Sequence, residues 1–487
     1  MSSKSHGLRS LSGEIEDFLL RNGNHFHTML LSFLLVLTVT SLIEINGILK
    51  PYFVGDSLNY VITMRLLLES GLSGLGRPPL IGALLGFLNT FLPLEAANRL
   101  LSMAYFLIIV PMTLMGYELT ENMPISVSGS VLMAFLPFIS PALVWGYLTL
   151  LGSLVFSVAL YLTVKFWRSS FDDKIGLLLL TSIFSVAVYL HNLSAFLIAI
   201  FFGILNLILF LRRKYDLSVL LSLSALGSAI VSLPVVMTVY KSFLKSTSSG
   251  SIDVAGSGLN LLTYTNNFVL GRSGFLSNLY PFFFLGILRE DGYREIYLAA
   301  VAWFVLLFFV PIQVAQKRYI YFLPALLAFG FFDSLDLLID FVKENSERFL
   351  VDYLDIMVVA AILVMVFGLS GQFVDRTDAA YGFFGPIDSQ DREVIGSELG
   401  DVTGVVAGDK HMGWYLRGYR DIENTVTIYS SNIREDLLEK SEMAKDIVKG
   451  NRTLAREMEI SHIVTKEEIG SYQKVAKGEK YYIYEIN

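Results

Sequence analysis

Apolar segments long enough to cross a lipid bilayer recur along the first 372 residues of this 487-residue chain. A transmembrane helix needs about 20 consecutive, largely apolar residues. Charged residues make up only 17% of the chain, whereas soluble globular proteins carry about a quarter. The sequence therefore predicts a polytopic α-helical membrane protein with about eleven transmembrane helices. The predicted spans lie at 28–48, 97–117, 124–140, 147–166, 175–190, 194–211, 217–240, 276–290, 297–315, 319–341 and 349–372.

The distribution of basic residues predicts the orientation of these spans, because cytoplasmic loops carry an excess of Lys and Arg. If residues 1–27 form a cytoplasmic segment, every second connection is also cytoplasmic, and these connections hold most of the basic loop residues. They are Lys165, Arg168, Lys174, Arg212, Arg213, Lys214, Arg289, Arg294, Lys343 and Arg348. No small-residue cleavage site follows 28–48, so this first span is expected to be retained. The orientation of the C-terminal half depends on 276–290, because without that span the later connections would change sides.

Residues 373–487 have a different pattern. The strand-like runs VTGVVAG, NTVTIYS, ISHIVT and KYYIYEI occur together with a helical segment at 434–458. Strand and helix patterns in alternation predict a small α/β domain. The expected organisation is a cytoplasmic segment (1–27), a transmembrane domain (28–372) and an extracytoplasmic α/β domain (373–487).

The loop after the first span contains two predicted interfacial helices. Asp56 precedes Ser57–Ser70, a segment too short and too polar to span a bilayer, whose polar residues, including Tyr60, share one side of a helix. An apolar helix with one polar stripe suits the bilayer interface. A second, apolar helix is expected to start at Arg77-Pro78-Pro79 and to end at Pro93.

Four features of the sequence form a recognisable set. They are Asp56 with the interfacial helix after it, the RPPL step at Arg77, the run KRYIYFLP at Lys317, and the C-terminal segment GDKHMGWYLRGYRDI. Together they resemble the GT-C glycosyltransferases, which include the protein O-mannosyltransferases and the aminoarabinose transferases of lipid A. The architecture matches over most of the chain, and about 60 residues carry the motifs. The resemblance implies an integral membrane enzyme that uses a polyprenyl-phosphate-linked sugar.

The resemblance also implies roles for individual residues. Asp56 would act as a base or orient the acceptor, and the basic residues would hold the lipid phosphate. The predicted substrate-binding residues are Arg77, Lys317, Arg318, Tyr319, His191 and Tyr60.

Simpler roles for these residues remain open. Asp56 could only cap the following helix, and Lys317 and Arg318 could anchor a span by snorkelling. His191 could be an ordinary polar residue at a span boundary. Tyr147 is expected in the aromatic belt at the membrane surface, and stacking on a sugar is the alternative.

Neither a metal nor another cofactor is assigned from the sequence. The chain has no cysteine, which excludes thiolate zinc sites and cysteine nucleophiles. A divalent cation needs several oxygen ligands, and only Glu95 or the C-terminal region could supply a second carboxylate beside Asp56. A divalent metal is therefore weakly supported, and no block of Lys and Arg predicts nucleic-acid binding.

The expected partners are a polyprenyl-phosphate sugar donor, an acceptor that the sequence does not identify, and the lipid bilayer. The expected location is the plasma membrane, with the N-terminus cytoplasmic and the C-terminal domain outside. The alternative function is a transporter or flippase of a lipid-linked or small polar substrate. Transporters usually have related halves and charges deep within spans, whereas the polar residues here gather at one membrane face.

The substitution Asp56→Asn should abolish sugar transfer while donor binding is retained, because an amide cannot accept the proton of an acceptor hydroxyl. The measurement is transfer of radiolabelled sugar from polyprenyl phosphate by the purified protein in detergent. Asp173→Asn, in a predicted cytoplasmic loop, is the matched control. Equal transfer by the wild type and Asp56→Asn would refute the catalytic role.

Overall fold

A computed structural model gives the fold of most of the chain. The described residues are 57–71, 78–139, 142–143, 147–168, 174–237, 262–263, 265–270, 274–288, 293–309, 318–345, 348–384, 389–399, 402, 404–408, 416, 425–427, 443–444 and 446–486. The predicted segments 1–27 and 28–48, together with Asp56, Arg77 and Lys317, lie outside the described residues.

The described residues before residue 400 are mostly helical. The helices are α1 (Ser57–Ser70), α2 (Leu80–Asn89), α3 (Leu94–Met103), α4 (Ile109–Thr120), α5 (Met123–Ala134), α6 (Tyr147–Arg168), α7 (Lys174–Leu190), α8 (Asn192–Leu211), α9 (Tyr215–Val235), α10 (Arg294–Phe309), α11 (Leu323–Asn345), α12 (Arg348–Phe384) and α13 (Ser389–Leu399). Shorter 3-10 helices lie at Ala104–Ile108, Gly274–Leu288 and Tyr319–Phe322, and a π-helical turn at Thr265–Leu270.

Local chemistry sets several of the helix starts. Asn122 precedes α5, and its Oδ1 accepts the N–H of Ile125 at 3.2 Å. Pro124 follows in the first turn of α5, where a missing N–H has no consequence. Pro93 precedes α3 in an extended conformation, and Glu95 in the first turn complements the helix dipole.

Six helical stretches of the described chain are long and apolar enough to cross a membrane. They are Leu94–Thr120, Tyr147–Trp167, Asn192–Leu211, Tyr215–Val235, Tyr319–Asn345 and Leu354–Thr377. Each coincides with a predicted span, and this multi-pass helical arrangement confirms the fold class at that level. The predicted spans at 124–140, 175–190, 276–290 and 297–315 correspond to shorter helical segments. The count of eleven stays a prediction.

The helix α6 lies at the centre of the bundle and α12 lies at its edge. Of the apolar 18-residue stretch within Tyr147–Trp167, 89% is buried inside the protein, whereas only 11% of the corresponding stretch within Leu354–Thr377 is buried. A transmembrane helix satisfies its backbone hydrogen bonds internally, so an apolar helix with an exposed surface is stable facing lipid. Helices that contact α6 are therefore placed by protein packing, whereas α12 is suited to face the bilayer.

The C-terminal region contains a five-stranded mixed sheet. Its strands are β1 (Val405–Gly408), β2 (Thr425–Thr427), β3 (Ile460–Thr465), β4 (Gln473–Lys477) and β5 (Tyr482–Glu485), and α14 (Arg452–Glu457) precedes β3. The strand order is β2-β1-β3-β5-β4. β1 pairs in parallel with β2 and β3, and β5 pairs antiparallel with β3 and β4.

The sheet agrees with the strand pattern of the sequence. The four predicted strand-like runs contain β1, β2, β3 and β5, and β4 was not predicted. The helix α12 continues past the predicted domain boundary at residue 372, to Phe384. A separate extracytoplasmic domain at 373–487 stays a prediction.

Two consecutive residues of α13 join the sheet to the helical bundle. Asp391 is fully buried, and its carboxylate accepts the backbone N–H groups of Lys480 at 3.1 Å and Tyr481 at 3.3 Å. Arg392 donates to Glu95 Oε1 on α3 at 2.5 Å. Hydrogen bonds thus join the turn before β5 to α13, and an ion pair joins α13 to α3.

Asp391→Ala should destabilise the attachment of the sheet by about 1–3 kcal/mol, because two N–H groups lose their acceptor in a buried setting. Glu393→Ala, which removes an exposed carboxylate from the same helix, should have little effect. Thermal unfolding and limited proteolysis of both variants in detergent provide the measurement. Equal stability of the two variants would contradict the assigned role of Asp391.

Candidate functional site

Helix α1 is packed into the protein and begins at the residue after Asp56. Its observed bounds, Ser57–Ser70, are the predicted ones. Tyr60 and Thr63, members of the predicted polar stripe, are 2% and 4% exposed, whereas Leu68 is 73% exposed. These two members of the polar stripe are therefore buried in the protein, as is the apolar residue Val61, which is fully buried. An interfacial position of α1 stays a prediction.

Helix α2 crosses α1 at a glycine. A Cβ atom placed on Gly82 would lie 3.0 Å from the backbone nitrogen of Met64 and 3.1 Å from the carbonyl carbon of Thr63. Only a residue without a side chain allows the two backbones to approach so closely. The predicted pair of helices after Asp56 is thus a packed unit.

Tyr60 leads from α1 to the first turn of α6. Its ring packs edge-on against the ring of Tyr147, with the centroids 4.9 Å apart, a favourable aromatic geometry. The hydroxyl of Tyr147 donates to Asn98 Oδ1 on α3 at 2.6 Å. Tyr147 is 1% exposed, so its predicted place in the aromatic belt was wrong. The hydroxyl needs a partner in the protein interior, and Asn98 supplies it.

Arg318 reaches the same turn of α6 from another helix. The residue is half-buried and precedes the 3-10 helix Tyr319–Phe322, which continues directly into α11. Its Nη1 donates to Thr149 Oγ1 at 2.9 Å. Thr149 is fully buried. The hydrogen bond therefore holds the guanidinium group of Arg318 against the first turn of α6.

Tyr319 is buried beside Arg318. Its hydroxyl forms a short hydrogen bond with Thr265 Oγ1, and its ring packs edge-on against Trp303 at 6.2 Å and Phe304 at 5.8 Å. Two aromatic contacts and one hydrogen bond fix the orientation of the ring. Tyr319 thereby fixes the backbone that carries Arg318.

His191 lies at the start of α8, next to α6. The half-buried imidazole Nδ1 is 2.9 Å from Ser194 Oγ. Ser194 is fully buried, and its side chain occupies the space where Gly152 of α6 has no Cβ. The glycine lets α8 approach α6, and this approach places His191 near the same end of the bundle.

The four described candidate residues thus converge on the N-terminal part of α6. Tyr60 and Arg318 contact its first turn directly, Tyr319 adjoins Arg318, and His191 contacts it through Ser194. The described residues include no group of three or more His, Asp or Glu side chains placed to hold a metal ion. Glu95, considered as a second carboxylate, forms an ion pair with Arg392.

Two helix N-termini, those of α6 and α8, lie close together at this end of the bundle, because Gly152 of α6 packs against Ser194 in the first turn of α8. A helix N-terminus carries partial positive charge and free N–H groups, and both favour an anion. The arginine at the junction adds a full positive charge. The arrangement can therefore bind a negatively charged group such as a phosphate.

Asn98 and Thr149 are functional candidates that the sequence reasoning missed. Each is a common polar residue within an apolar helical stretch, and no motif singles it out. The partner of each side chain comes from a distant part of the chain.

Comparisons with known proteins agree on the fold. No family model matches the chain, and no curated protein matches it at a significant level. The structure of ArnT from Cupriavidus metallidurans in the apo state aligns with a TM-score of 0.60 at 12% identity, over 93% of this chain and 97% of that chain. The structure of the same protein bound to undecaprenyl phosphate aligns with a TM-score of 0.58 at 13% identity, over 93% and 97%.

A second type of protein also aligns with the chain. The oligosaccharyltransferase AglB from Archaeoglobus fulgidus, in complex with an inhibitory peptide and a dolichol-phosphate, gives a TM-score of 0.49 at 13% identity, over 91% of this chain and 69% of that chain. The alignments with ArnT show that this chain shares the fold of that protein. The resemblance inferred from the sequence is confirmed at the level of the fold.

Gly152→Ala should destabilise the protein by about 1–3 kcal/mol, because the added Cβ overlaps Ser194 in a packed interior. The double variant Gly152→Ala, Ser194→Gly should recover most of that loss, since the two atoms that the Cβ would meet first are removed. Thermal unfolding in detergent measures both effects. A double variant no more stable than Gly152→Ala would contradict the assigned contact between α6 and α8.

Proposed function

We propose that this chain is a membrane glycosyltransferase that moves a sugar from a polyprenyl-phosphate donor to an acceptor at the extracytoplasmic face. The observation that carries the proposal is the placement of Arg318, whose guanidinium group is held by Thr149 in the first turn of α6, close to the N-terminus of α8. The fold supports it, because ArnT, which shares the fold, has been seen with undecaprenyl phosphate bound.

The phosphate of the donor would bind to Arg318. A guanidinium group presents several N–H donors in one plane and matches phosphate oxygens in a bidentate geometry. Thr149 occupies one of these donors and fixes the plane of the group. A polyprenyl lipid keeps its phosphate at membrane-surface depth, and Arg318 lies at the end of a long apolar helical stretch, Tyr319–Asn345. Lys317 and Arg77 would add positive charge on the basis of their positions in the sequence.

The acceptor would react at Asp56, the residue that directly precedes α1. The acceptor oxygen forms a bond to the anomeric carbon, and the bond from that carbon to the phosphate oxygen breaks. The proton of the acceptor hydroxyl passes to the Asp56 carboxylate. The electron pair of the broken bond leaves with the polyprenyl phosphate, whose growing negative charge Arg318 stabilises.

The remaining candidates would orient the reactants. Tyr60 lies in the first turn of α1 and packs on Tyr147, so it would set the direction of the helix start that follows Asp56. Tyr319 fixes the backbone beside Arg318, and His191 would contact phosphate or sugar from α8. No metal enters this mechanism, because Asp56 is the one carboxylate assigned to the reaction.

The location follows from the predicted topology. The starts of α6, α8 and the 3-10 segment before α11 all lie on the predicted outer face, together with Asp56. The enzyme would therefore lie in the plasma membrane, with its C-terminal sheet on the extracytoplasmic side. A transporter or flippase of a lipid-linked substrate would bind the same phosphate without breaking the bond to the sugar.

Arg318→Ala should weaken donor binding about tenfold or more, because a charge-assisted hydrogen bond contributes about 1.5–3 kcal/mol. Thr149→Val should weaken it less, since the guanidinium loses one anchor but keeps its charge. Thr163→Val is the matched control, because Thr163 lies on the same helix and donates only to the Ala159 carbonyl at 2.8 Å. The measurement is equilibrium binding of a radiolabelled polyprenyl-phosphate hexose to the purified protein.

Binding and transfer are measured on the same samples. Sugar transfer by the wild type, together with weaker binding by Arg318→Ala, supports the glycosyltransferase. Donor binding without transfer to any acceptor supports the transporter. Unchanged binding by Arg318→Ala contradicts the phosphate site.

A further inference from the structure

A continuous series of side-chain contacts runs from the C-terminal sheet to the start of α1. Asp391 holds the turn at Lys480 and Tyr481, and the next residue, Arg392, donates to Glu95 at 2.5 Å. Both members of this ion pair are largely buried, with side chains 22% and 24% exposed. A charge pair shielded from water in this way is screened less than a surface pair.

The series continues within α3. Asn98 follows Glu95 by three residues, so the two side chains lie on the same side of the helix. The Oδ1 atom of Asn98 accepts a hydrogen bond from the hydroxyl of Tyr147, and the ring of Tyr147 packs against the ring of Tyr60. Tyr60 lies in the first turn of α1, which Asp56 directly precedes. A shift of α3 would therefore move the helix start next to the proposed base.

We propose that the Arg392–Glu95 ion pair is a positioning contact, through which the C-terminal sheet sets the position of α3 and, through Asn98 and Tyr147, of the start of α1. The catalytic consequence rests on the proposed function, whereas the mechanical coupling does not. Glu95, Arg392, Asn98 and Tyr147 are positioning residues in this scheme and do not touch the substrate.

The position of α1 depends on contacts with other helices. The helices α1 and α2 have 14 and 10 residues and are too short to span a bilayer, so other helices must anchor them. The contacts of Tyr60 with α6, and of α6 with α3, supply that anchor. The sheet fastens α3 from outside the bundle, so that α3 is held on both sides.

The test uses the full-length protein with Arg392→Gln, Glu95→Gln and the swapped pair Glu95→Arg, Arg392→Glu. Glu468→Gln is the matched control, because Glu468 forms an ion pair with Lys474 at 2.6 Å that is exposed and within the sheet region. Amide hydrogen exchange of 94–103 and 147–152 reports the coupling without any donor. kcat, and KM for a polyprenyl-phosphate hexose, report the catalytic consequence.

Each single variant is expected to exchange faster in both segments and to lose about tenfold in kcat, because a misplacement of about 1 Å far from the chemistry can cost up to a hundredfold. KM for the donor should change less than kcat, because Tyr319 fixes the backbone that carries Arg318 through contacts that do not involve α6. The swapped pair should recover both readouts, which excludes a mere failure to fold. The control should match the wild type.

The outcomes separate this inference from the proposed function. Faster exchange in the single variants, with no sugar transfer by the wild type, would support the coupling and contradict the glycosyltransferase. Transfer by the wild type, with exchange and kcat unchanged in the single variants, would overturn the inference and leave the proposed function standing. A swapped pair that folds but recovers neither readout would also overturn it.

Discussion

The burial of α6 is the constraint on which the arrangement of the other helices depends. This helix carries hydroxyl side chains, Thr149, Ser153, Ser157 and Thr163 among them, that are fully buried. Polar groups are costly in lipid and are stable only when the protein covers them. Some of these hydroxyls bond to their own helix, as Thr163 does to the Ala159 carbonyl. Thr149, at the helix start, instead accepts a hydrogen bond from Arg318. The start of α6 is therefore a point where other parts of the chain are joined to it.

Several separate parts of the chain meet at the start of α6, and each contributes one contact of a different kind. Tyr60 brings an aromatic face from α1, Asn98 an amide from α3, and Arg318 a charge from the segment before α11. Each element is itself fixed, α2 by its crossing with α1 and Tyr319 by its ring contacts. A binding or catalytic site gains precision when its residues lie on rigid helices whose side chains are locked by neighbours. The described part of the site has this property.

The C-terminal sheet is more than an appended unit. One face of the sheet packs with the bundle, since Val464 and Ile483 belong to the same hydrophobic cluster as the spans. The next residues along the two strands, Ile463 and Tyr484, belong to a separate cluster on the other face. The buried Asp391 and the ion pair at Arg392 add directional contacts to this packing. An apolar interface alone would let the sheet slide along the bundle, because apolar contacts are not directional. The hydrogen bonds of Asp391 and the ion pair of Arg392 are directional and fix the position of the sheet. The sheet therefore forms part of the surroundings of the site.

The sequence by itself determined the membrane class, six of the long spans, the bounds of α1 and four of the five strands. These features follow from apolar length, from residue periodicity and from strand-rich composition, all of which are local. Tertiary structure alone decided that Tyr147 is buried against Asn98, that Thr149 accepts a hydrogen bond from Arg318, and that Glu95 is paired with Arg392. Each of these depends on a partner far away in the chain, and Glu95 and Arg392 are 297 residues apart. Local patterns determine which segments form helices, but only packing determines which polar side chains meet, because a buried polar group must find its partner wherever the fold brings one.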